Sequence, residues 1–357
     1  MTDAFELATS FVACGSPSRD ESELAGRITS MLDGSAHLEV TRIGDNVIAR
    51  TSLGRNRRVI VAGHLDTVST GKPEPRVEGD VLWGLGAADM KGTLAIMAGL
   101  AAELETPPVD ITWIFYAREE ISRSESGLIE IQEADSSLLD GDVAILGEPT
   151  NAAIEAGCQG TLRLEVILGG IKAHSARPFM GVNAIHRMAG VIQAIADADP
   201  REVPLDGVVY AEQVQVVLAE AGIGANVVPD RASLTINHRF APDRTEAEAE
   251  AWVRSVIDPY LDVTLGDEVH LRDSAPGALP GLGDPVLARL RELSGVPVVA
   301  KVGWTDVATF GALGIPAANF GAGDPLVAHH PDEHVTRQSL VAVESALRSL
   351  LSDPELG

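Results

Sequence analysis

The sequence predicts an α/β protein: a mainly parallel sheet flanked by helices forms a catalytic-type domain, and a smaller α+β sandwich is inserted into it. Three observations lead there. Runs that are apolar on both faces, Val59 to Ala62, Ile111 to Tyr116 and Val143 to Leu146, alternate with helical stretches, as buried parallel strands and their crossovers require. Past Glu155 the pattern becomes the period-two alternation of strands with one wet face, and near Pro285 the first texture returns. The composition is 45% hydrophobic but only 4% aromatic, so Ala, Val, Leu and Ile must build the core.

Each element follows in order. Asp3 to Val12 carries apolar residues at helical spacing; Ser16, Pro17 and Ser18 break it, and Glu21 to Leu32 predicts a second helix. LEVTRI and NVIARTS read as strands about the Gly44-Asp45 turn, and RRVIVAGHLDTV holds a buried central strand. A helix over Lys91 to Leu104, a strand over Ile111 to Tyr116, a helix near Gly127 to Ala134 and a strand over Val143 to Leu146 come next. In the insertion, TLRLEVILGG alternates as a strand, Asn183 to Ala198 is helical, Gln213 to Leu218 and ASLTINHRF are strands, and the Ala/Glu-rich Thr245 to Ile257 is a helix. SAPGALPGLGDP, Ser274 to Pro285, is the densest Gly/Pro segment and reads as a crossover. Pro285 to Leu293 is helical, VPVVA and IPAANFG are short buried strands, and Thr336 to Leu351 predicts the last helix. The expected domains are residues 1–160 with 277–357, and residues 161–276; a chain of 357 residues suffices for two of ordinary size.

A formal charge of −25 repels phosphate backbones and anionic headgroups, so neither nucleic acid nor a membrane surface is an expected partner. Cys14 and Cys158 are the only cysteines, and neither has zinc-site spacing. Asp3 and Glu6 stand where a secretion signal needs a basic start, and no stretch approaches the ~20 apolar residues of a membrane span. A cytoplasmic location is expected.

Open α/β sheets bind ligands outside the carboxyl ends of their strands. Metal-ligating residue types collect there. One strand runs into Gly63-His64-Leu65-Asp66, another into Glu119-Glu120, a third into Gly147-Glu148-Pro149; WGLGAADMKG places Asp89 before a helix, and the strand at Ala317 leads through Gly321-Ala322-Gly323 to His329. Adjacent glutamates alone are usually a solvated face. Several carboxylates at one sheet edge, however, repel each other unless a multivalent cation neutralises them. Two imidazoles with carboxylates suit zinc, with cobalt or manganese as substitutes. The remaining histidines, His37, His186, His238, His270, His330 and His334, read as structural or surface residues; His174 is set apart below.

GHLDTV, WGLGAADMKG, AREE, GEPT, GIKAHSARP and AGDPLVAHH, in this order along essentially the whole chain, resemble the dinuclear zinc aminoacylases and carboxypeptidases, a metallopeptidase clan with an inserted lid or dimerisation domain. The resemblance implies two zinc ions per subunit, His64 and Glu148 on the first, Glu120 and His329 on the second, and Asp89 bridging. It also implies Glu119 as general base, Asp66 as the acid that holds the His64 ring, and a homodimer formed through the insertion. That role for Asp66 follows from outer-shell chemistry as well. His174 resembles the family's oxyanion donor, often supplied by the partner subunit, and Asn226 and Arg239 its substrate-carboxylate contacts. Thr305 and the Gly321 to Gly323 loop are expected at the other carboxylate.

GCQGTLR, GWTDVATF and NFGAGDP are similar to the actinobacterial branch of this family that removes succinate from N-succinyl-diaminopimelate. Cys158-Gln159 departs from the proteobacterial branch, which has two arginines there, so substrate recognition must differ at that point. Acetylornithine deacetylases, other N-acyl amino acid hydrolases and dipeptidases share the metal chemistry and remain alternatives. A non-catalytic binding protein on this scaffold would be expected to lack Glu119 or Asp89, and both are present.

Overall fold

The structure, a computed structural model, describes residues 3–69 and 75–357. The chain forms two units. One runs to Gly157 and resumes over Pro280–Val299 and Asp306–Gly357; the other comprises Cys158–Leu279 and Ala300–Thr305. The short return over Ala300–Thr305 was not anticipated, because its residues lie within a stretch of α/β texture.

The first unit is built on a sheet whose strands lie in the order Glu39–Ile43, Asn46–Arg50, Asp110–Tyr116, Arg58–His64, Val143–Leu146, Ala317–Asn319, Ile154–Ala156 and Val298–Ala300. Arg58–His64 lies parallel to both its neighbours, and Ala317–Asn319 parallel to Val143–Leu146. The continuous apolar runs are explained by burial on both faces: every residue of Asp110–Tyr116 and of Val143–Leu146 is buried. An antiparallel hairpin, Glu39–Ile43 with Asn46–Arg50, extends one side, turning at Gly44 as expected. The helix Gly92–Glu103 has Leu94, Ala95, Ile96, Met97, Leu100 and Ala101 all within 1% of full burial, which marks a helix inside the core rather than on it. Ala4–Ala13 and Arg337–Leu351 pack against it.

In the second unit four antiparallel strands lie in the order Gln213–Ala221, Arg231–Phe240, Gly160–Gly169 and Glu268–Ala275. Arg231–Phe240 alternates strictly, with Ala232, Leu234, Ile236, His238 and Phe240 buried. Helices Ala184–Ala196 and Glu246–Ile257 cover that face through Met188, Val191, Val253 and Ile257. Asn183 caps the first, and a Thr245/Glu248 capping box starts the second.

Several short elements were not foreseen. Glu202–Leu205 and Val208–Ala211 form a hairpin, and Glu268–Ala275 runs into the Gly/Pro-rich stretch expected to be a crossover. A three-stranded sheet joins Arg76–Glu78, Val81–Trp83 and His334–Thr336. Three-residue strands carry too little periodicity to be read from sequence. This one matters for the site, because it ties the segment after His329 to the segment before Asp89.

Candidate metal centre

His64 is the last residue of its parallel strand and lies opposite Tyr116, three residues before Glu119; Glu148 follows the Val143–Leu146 strand by two. Register thus delivers imidazole and carboxylates to one end of the sheet. Asp89 arrives from the Gly84–Lys91 turn preceding the buried helix, and His329 from the turn after Pro325–Val327, at a backbone φ of 62°.

Asp89 lies between the two imidazoles. Its Oδ1 is 3.0 Å from His64 Nε2 and its Oδ2 is 3.3 Å from His329 Nε2, while the His329 Nε2 is 2.7 Å from Glu120 Oε1. Ligand atoms of His64, Asp89 and Glu148 lie within 4.8 Å of one another, as do those of Asp89, Glu120 and His329, and those of His64, Glu119 and Glu120. Ligands each ~2.1 Å from a shared ion are separated by no more than about 4.2 Å, so these groupings need only a small contraction to close on a cation. Opposite oxygens of one carboxylate serve two groupings. The donor set therefore fits a pair of divalent cations, with Asp89 shared. His330 lies outside all three groupings and its Nδ1 instead stands 3.8 Å from Asp332 Oδ2.

The electrostatics say the same. Burial, then the charge of Glu148, pushes the Glu119 carboxyl well above the ordinary carboxylate range, with Glu120 and Asp306 adding to it and His64 opposing. Burial would depress the His64 imidazolium, but Asp66 and Asp89 outweigh it and raise its pKa well above the usual value. His329 is pushed up to about 10 by Asp89 and then Glu120. Burial disfavours ionised Asp89, yet His329 and His64 hold its carboxyl below its ordinary value. Crowded acids draw positive charge onto the imidazoles, and divalent cations would supply that charge directly.

Two buried acids outside these groupings, Asp66 and Glu333, hold the backbone that bears the candidate ligands. Asp66 Oδ1 accepts the N–H of Glu119 at 2.9 Å, and Oδ2 accepts the N–H of Glu120 at 3.0 Å and the Ser18 hydroxyl at 2.7 Å. The His64 ring bonds the Asp66 backbone carbonyl at 2.9 Å, with the carboxylate 3.6 Å away. Orientation of His64, the role expected for the Asp66 carboxylate, is thus shared with its main chain, and the carboxylate chiefly clamps the Glu119-Glu120 backbone. Glu333 does the same for Asp89, accepting the N–H groups of Gly86, Ala88 and Asp89, each at 3.0 Å. Gly323 has φ +92°, and a Cβ there would meet the Ala88 Cα at 2.7 Å; its glycine is explained by this close approach to the Asp89 turn.

His174, Asn226, Arg239 and Thr305 belong to the second unit. There Ala173–His174 pairs with Val227–Val228, exposed Asn226 directly precedes the partner of exposed His174, and its carbonyl accepts the Ser175 N–H at 2.9 Å. Arg239 is half-buried opposite Thr161 and Gln213 and forms no ion pair among the described residues; burial, then nearby Arg163, lowers its pKa. Thr305 is buried, its carbonyl 3.7 Å from the Cys158 thiol.

Sequence reasoning missed Ser18, Glu333 and Asp306. Asp306 is 1% exposed, accepts the Thr309 hydroxyl at 2.6 Å and adds to the charge around Glu119. It stands beside Thr305 in GWTDVATF, a motif from which only the threonine was assigned to the site. Glu333 sits in the polar run AHHPDEHV, where nothing distinguishes a buried acid from a solvated one.

The chain is 46% identical over 351 residues, 98% of each sequence, to a protein of Mycobacterium tuberculosis provisionally named a succinyl-diaminopimelate desuccinylase. It is 41% identical over 358 residues to the succinyl-diaminopimelate desuccinylase of Corynebacterium glutamicum, covering 98% of this chain and 96% of that one. Its fold is shared with a tripeptidase from Staphylococcus aureus, at a TM-score of 0.81 and 19% identity over 99% and 98% of the two chains. An aminopeptidase PepT from Bacillus cereus gives a TM-score of 0.79 at 19% identity, with the same coverage. With residues 60–353 also matching the family profile, the chain belongs to Peptidase family M20/M25/M40.

Proposed function

We propose that the protein is a zinc-dependent amide hydrolase that converts N-succinyl-L,L-diaminopimelate and water into succinate and L,L-diaminopimelate. The observation that carries the metal chemistry is Asp89, set between His64 and His329 with an oxygen toward each. The substrate rests on full-length relatives at 46% and 41% identity that bear that name.

His64, Asp89 and Glu148 would hold one cation and Asp89, Glu120 and His329 the other; zinc is the natural occupant, and cobalt or manganese would substitute. Two such cations, when bound, would polarise the scissile carbonyl and make water a stronger acid. Glu119 takes a proton from the attacking water as the new C–O bond forms, then gives it to the nitrogen as the C–N bond breaks, so that the diamino acid leaves as an amine. Burial, then the charge of Glu148, raises its proton affinity in the metal-free protein. Asp66 keeps Glu119 and Glu120 in register through their two amides.

Residues 161–276 act as lid and dimerisation domain in this reading. His174 donates to the developing oxyanion, Arg239 and Asn226 bind a substrate carboxylate, and Thr305 and Gly323 serve the other carboxylate. That Arg239 forms no ion pair among the described residues favours such a role. The strand Gln213–Ala221 lies at the end of its sheet with Val217 and Leu218 at least half exposed, an edge suited to pairing with a second copy. Two buried cysteines that form no disulfide and a charge of −25 fit a cytoplasmic enzyme acting on a small molecule.

Rates on N-succinyl-L,L-diaminopimelate, N-acetylornithine and a dipeptide test the substrate; preference for either of the last two would overturn it. Glu119→Gln should retain both metals and lose about 10²–10⁴-fold in turnover. Normal turnover in that variant would reject the base.

A further inference from the structure

Glu333 lies four residues beyond His329 and is 1% exposed. Its Oε2 accepts the Gly86 N–H, its Oε1 accepts those of Ala88 and Asp89, and its backbone carbonyl accepts that of Gly84, all at 3.0 Å. One residue therefore accepts four of the amide donors of the turn that presents the shared carboxylate, those of Gly84, Gly86, Ala88 and Asp89. The contrast with Glu212 is informative: that acid is equally buried but is paired with Arg201 and Arg244. Among the described residues Glu333 has no cationic partner, and the nearby buried Lys91 gives its ammonium to the Cys14 carbonyl at 2.7 Å. A buried carboxylate compensated only by amides of a single turn is costly unless holding that turn has a use.

The connection is also a short one. Glu333 shares a segment with His329, the residue after it begins the strand that pairs with Val81–Trp83, and the turn it grips ends on Asp89. The two segments meet again where Asp89 Oδ2 lies 3.3 Å from His329 Nε2.

We propose that Glu333 is a positioning residue that, by gripping the Asp89 turn from the His329 segment, sets the geometry and hence the affinity of the cation position formed by Asp89, Glu120 and His329. This rests on the metal reading above. The position that includes His329 is the sensitive one because His329 is 49% exposed and shares its segment with Glu333, whereas His64 ends a buried strand and is 1% exposed.

Titration of zinc into metal-free protein, followed calorimetrically, tests it. Wild type should bind in two steps, one of which His329→Ala removes. Glu333→Gln keeps the size of the side chain, but its single oxygen can serve Ala88 and Asp89 while its NH₂ group meets the Gly86 N–H. That same step should weaken by about 10–100-fold, the usual cost of losing a group that orients a ligand, and the other should change by less than about twofold. Glu333→Asp, which restores a second acceptor, should recover part of the loss. Unchanged affinities in Glu333→Gln would overturn the proposal, as would equal weakening of both steps with a fall in the melting temperature of the metal-free protein. Should Glu333→Gln fail to fold, Glu333→Asp decides alone: weakening confined to the His329 step supports the role, and wild-type affinities refute it. A wild-type protein that takes up no cation would instead remove the metal reading itself.

Discussion

Asp66→Asn alters no volume and removes one acceptor and one charge from a side chain that is 0% exposed. In the native protein both carboxylate oxygens are committed, Oδ1 to the Glu119 amide and Oδ2 to the Glu120 amide and the Ser18 hydroxyl. An asparagine has one oxygen, so in either orientation a buried backbone N–H faces an NH₂ group. Leaving such a donor unsatisfied costs about 1–3 kcal/mol, and bonds to a charged acceptor are worth about 1.5–3 kcal/mol. Allowing for overlap between the two costs, we expect a loss of about 2–4 kcal/mol, read by urea unfolding of the metal-free proteins at equal slope. Ser18→Ala, which deletes only one of the three bonds, should cost about 1 kcal/mol. Because the freed amides belong to the proposed general base, Glu119, and a proposed metal ligand, Glu120, kcat should also fall by about 10–100-fold in Asp66→Asn. A variant within about 0.5 kcal/mol of wild type would refute the clamp and leave Asp66 only an electrostatic role toward His64.

Gly323→Ala forces a Cβ to 2.7 Å from the Ala88 Cα at a φ of +92°, and should lower thermal stability by more than about 1 kcal/mol; a melting temperature equal to that of wild type contradicts the close contact. Asp110, 4% exposed, accepts the N–H groups of Leu53 at 2.8 Å and Arg55 at 2.9 Å, and these bonds hold its pKa below the usual value despite burial. A depressed folded-state pKa means its contribution is complete above the unfolded value near ~3.9 and disappears as pH falls through the folded one. Asp110→Asn should therefore destabilise the protein at pH 7 and flatten the fall in stability below about pH 4, and an unchanged acid limb in urea-unfolding curves would show the reasoning wrong. Charged residues at Val217 and Leu218 should convert the proposed dimer to monomer in sedimentation velocity, whereas a wild type that is already monomeric would remove the edge-strand interface.

Much of the first unit was legible because double-sided burial leaves runs such as VAIL and ITWIFY that no solvated segment tolerates. The same strands announced His64, Glu119, Glu120 and Glu148, since a polar residue ending an apolar run must lie at the sheet's edge. Alternation in ASLTINHRF revealed the second unit just as directly. Elements of two or three residues, such as Ala173–His174 and His334–Thr336, were invisible because they span barely one repeat of the strand period. Glu333, and the clamping role of Asp66 as distinct from its expected hold on His64, were invisible for another reason: both act by accepting backbone amides, and an amide donor leaves no trace in residue identity. The Ala300–Thr305 return reflects contacts made far along the chain, which local texture does not encode.

Anomalous diffraction at the zinc edge from crystals of the zinc-loaded enzyme addresses the central claim most directly. Two peaks per chain are expected, one contacted by His64 and Glu148, the other by Glu120 and His329, with an Asp89 oxygen on each. A single peak, or two with Asp89 turned away from both, would contradict the shared-carboxylate centre on which the proposed hydrolysis depends.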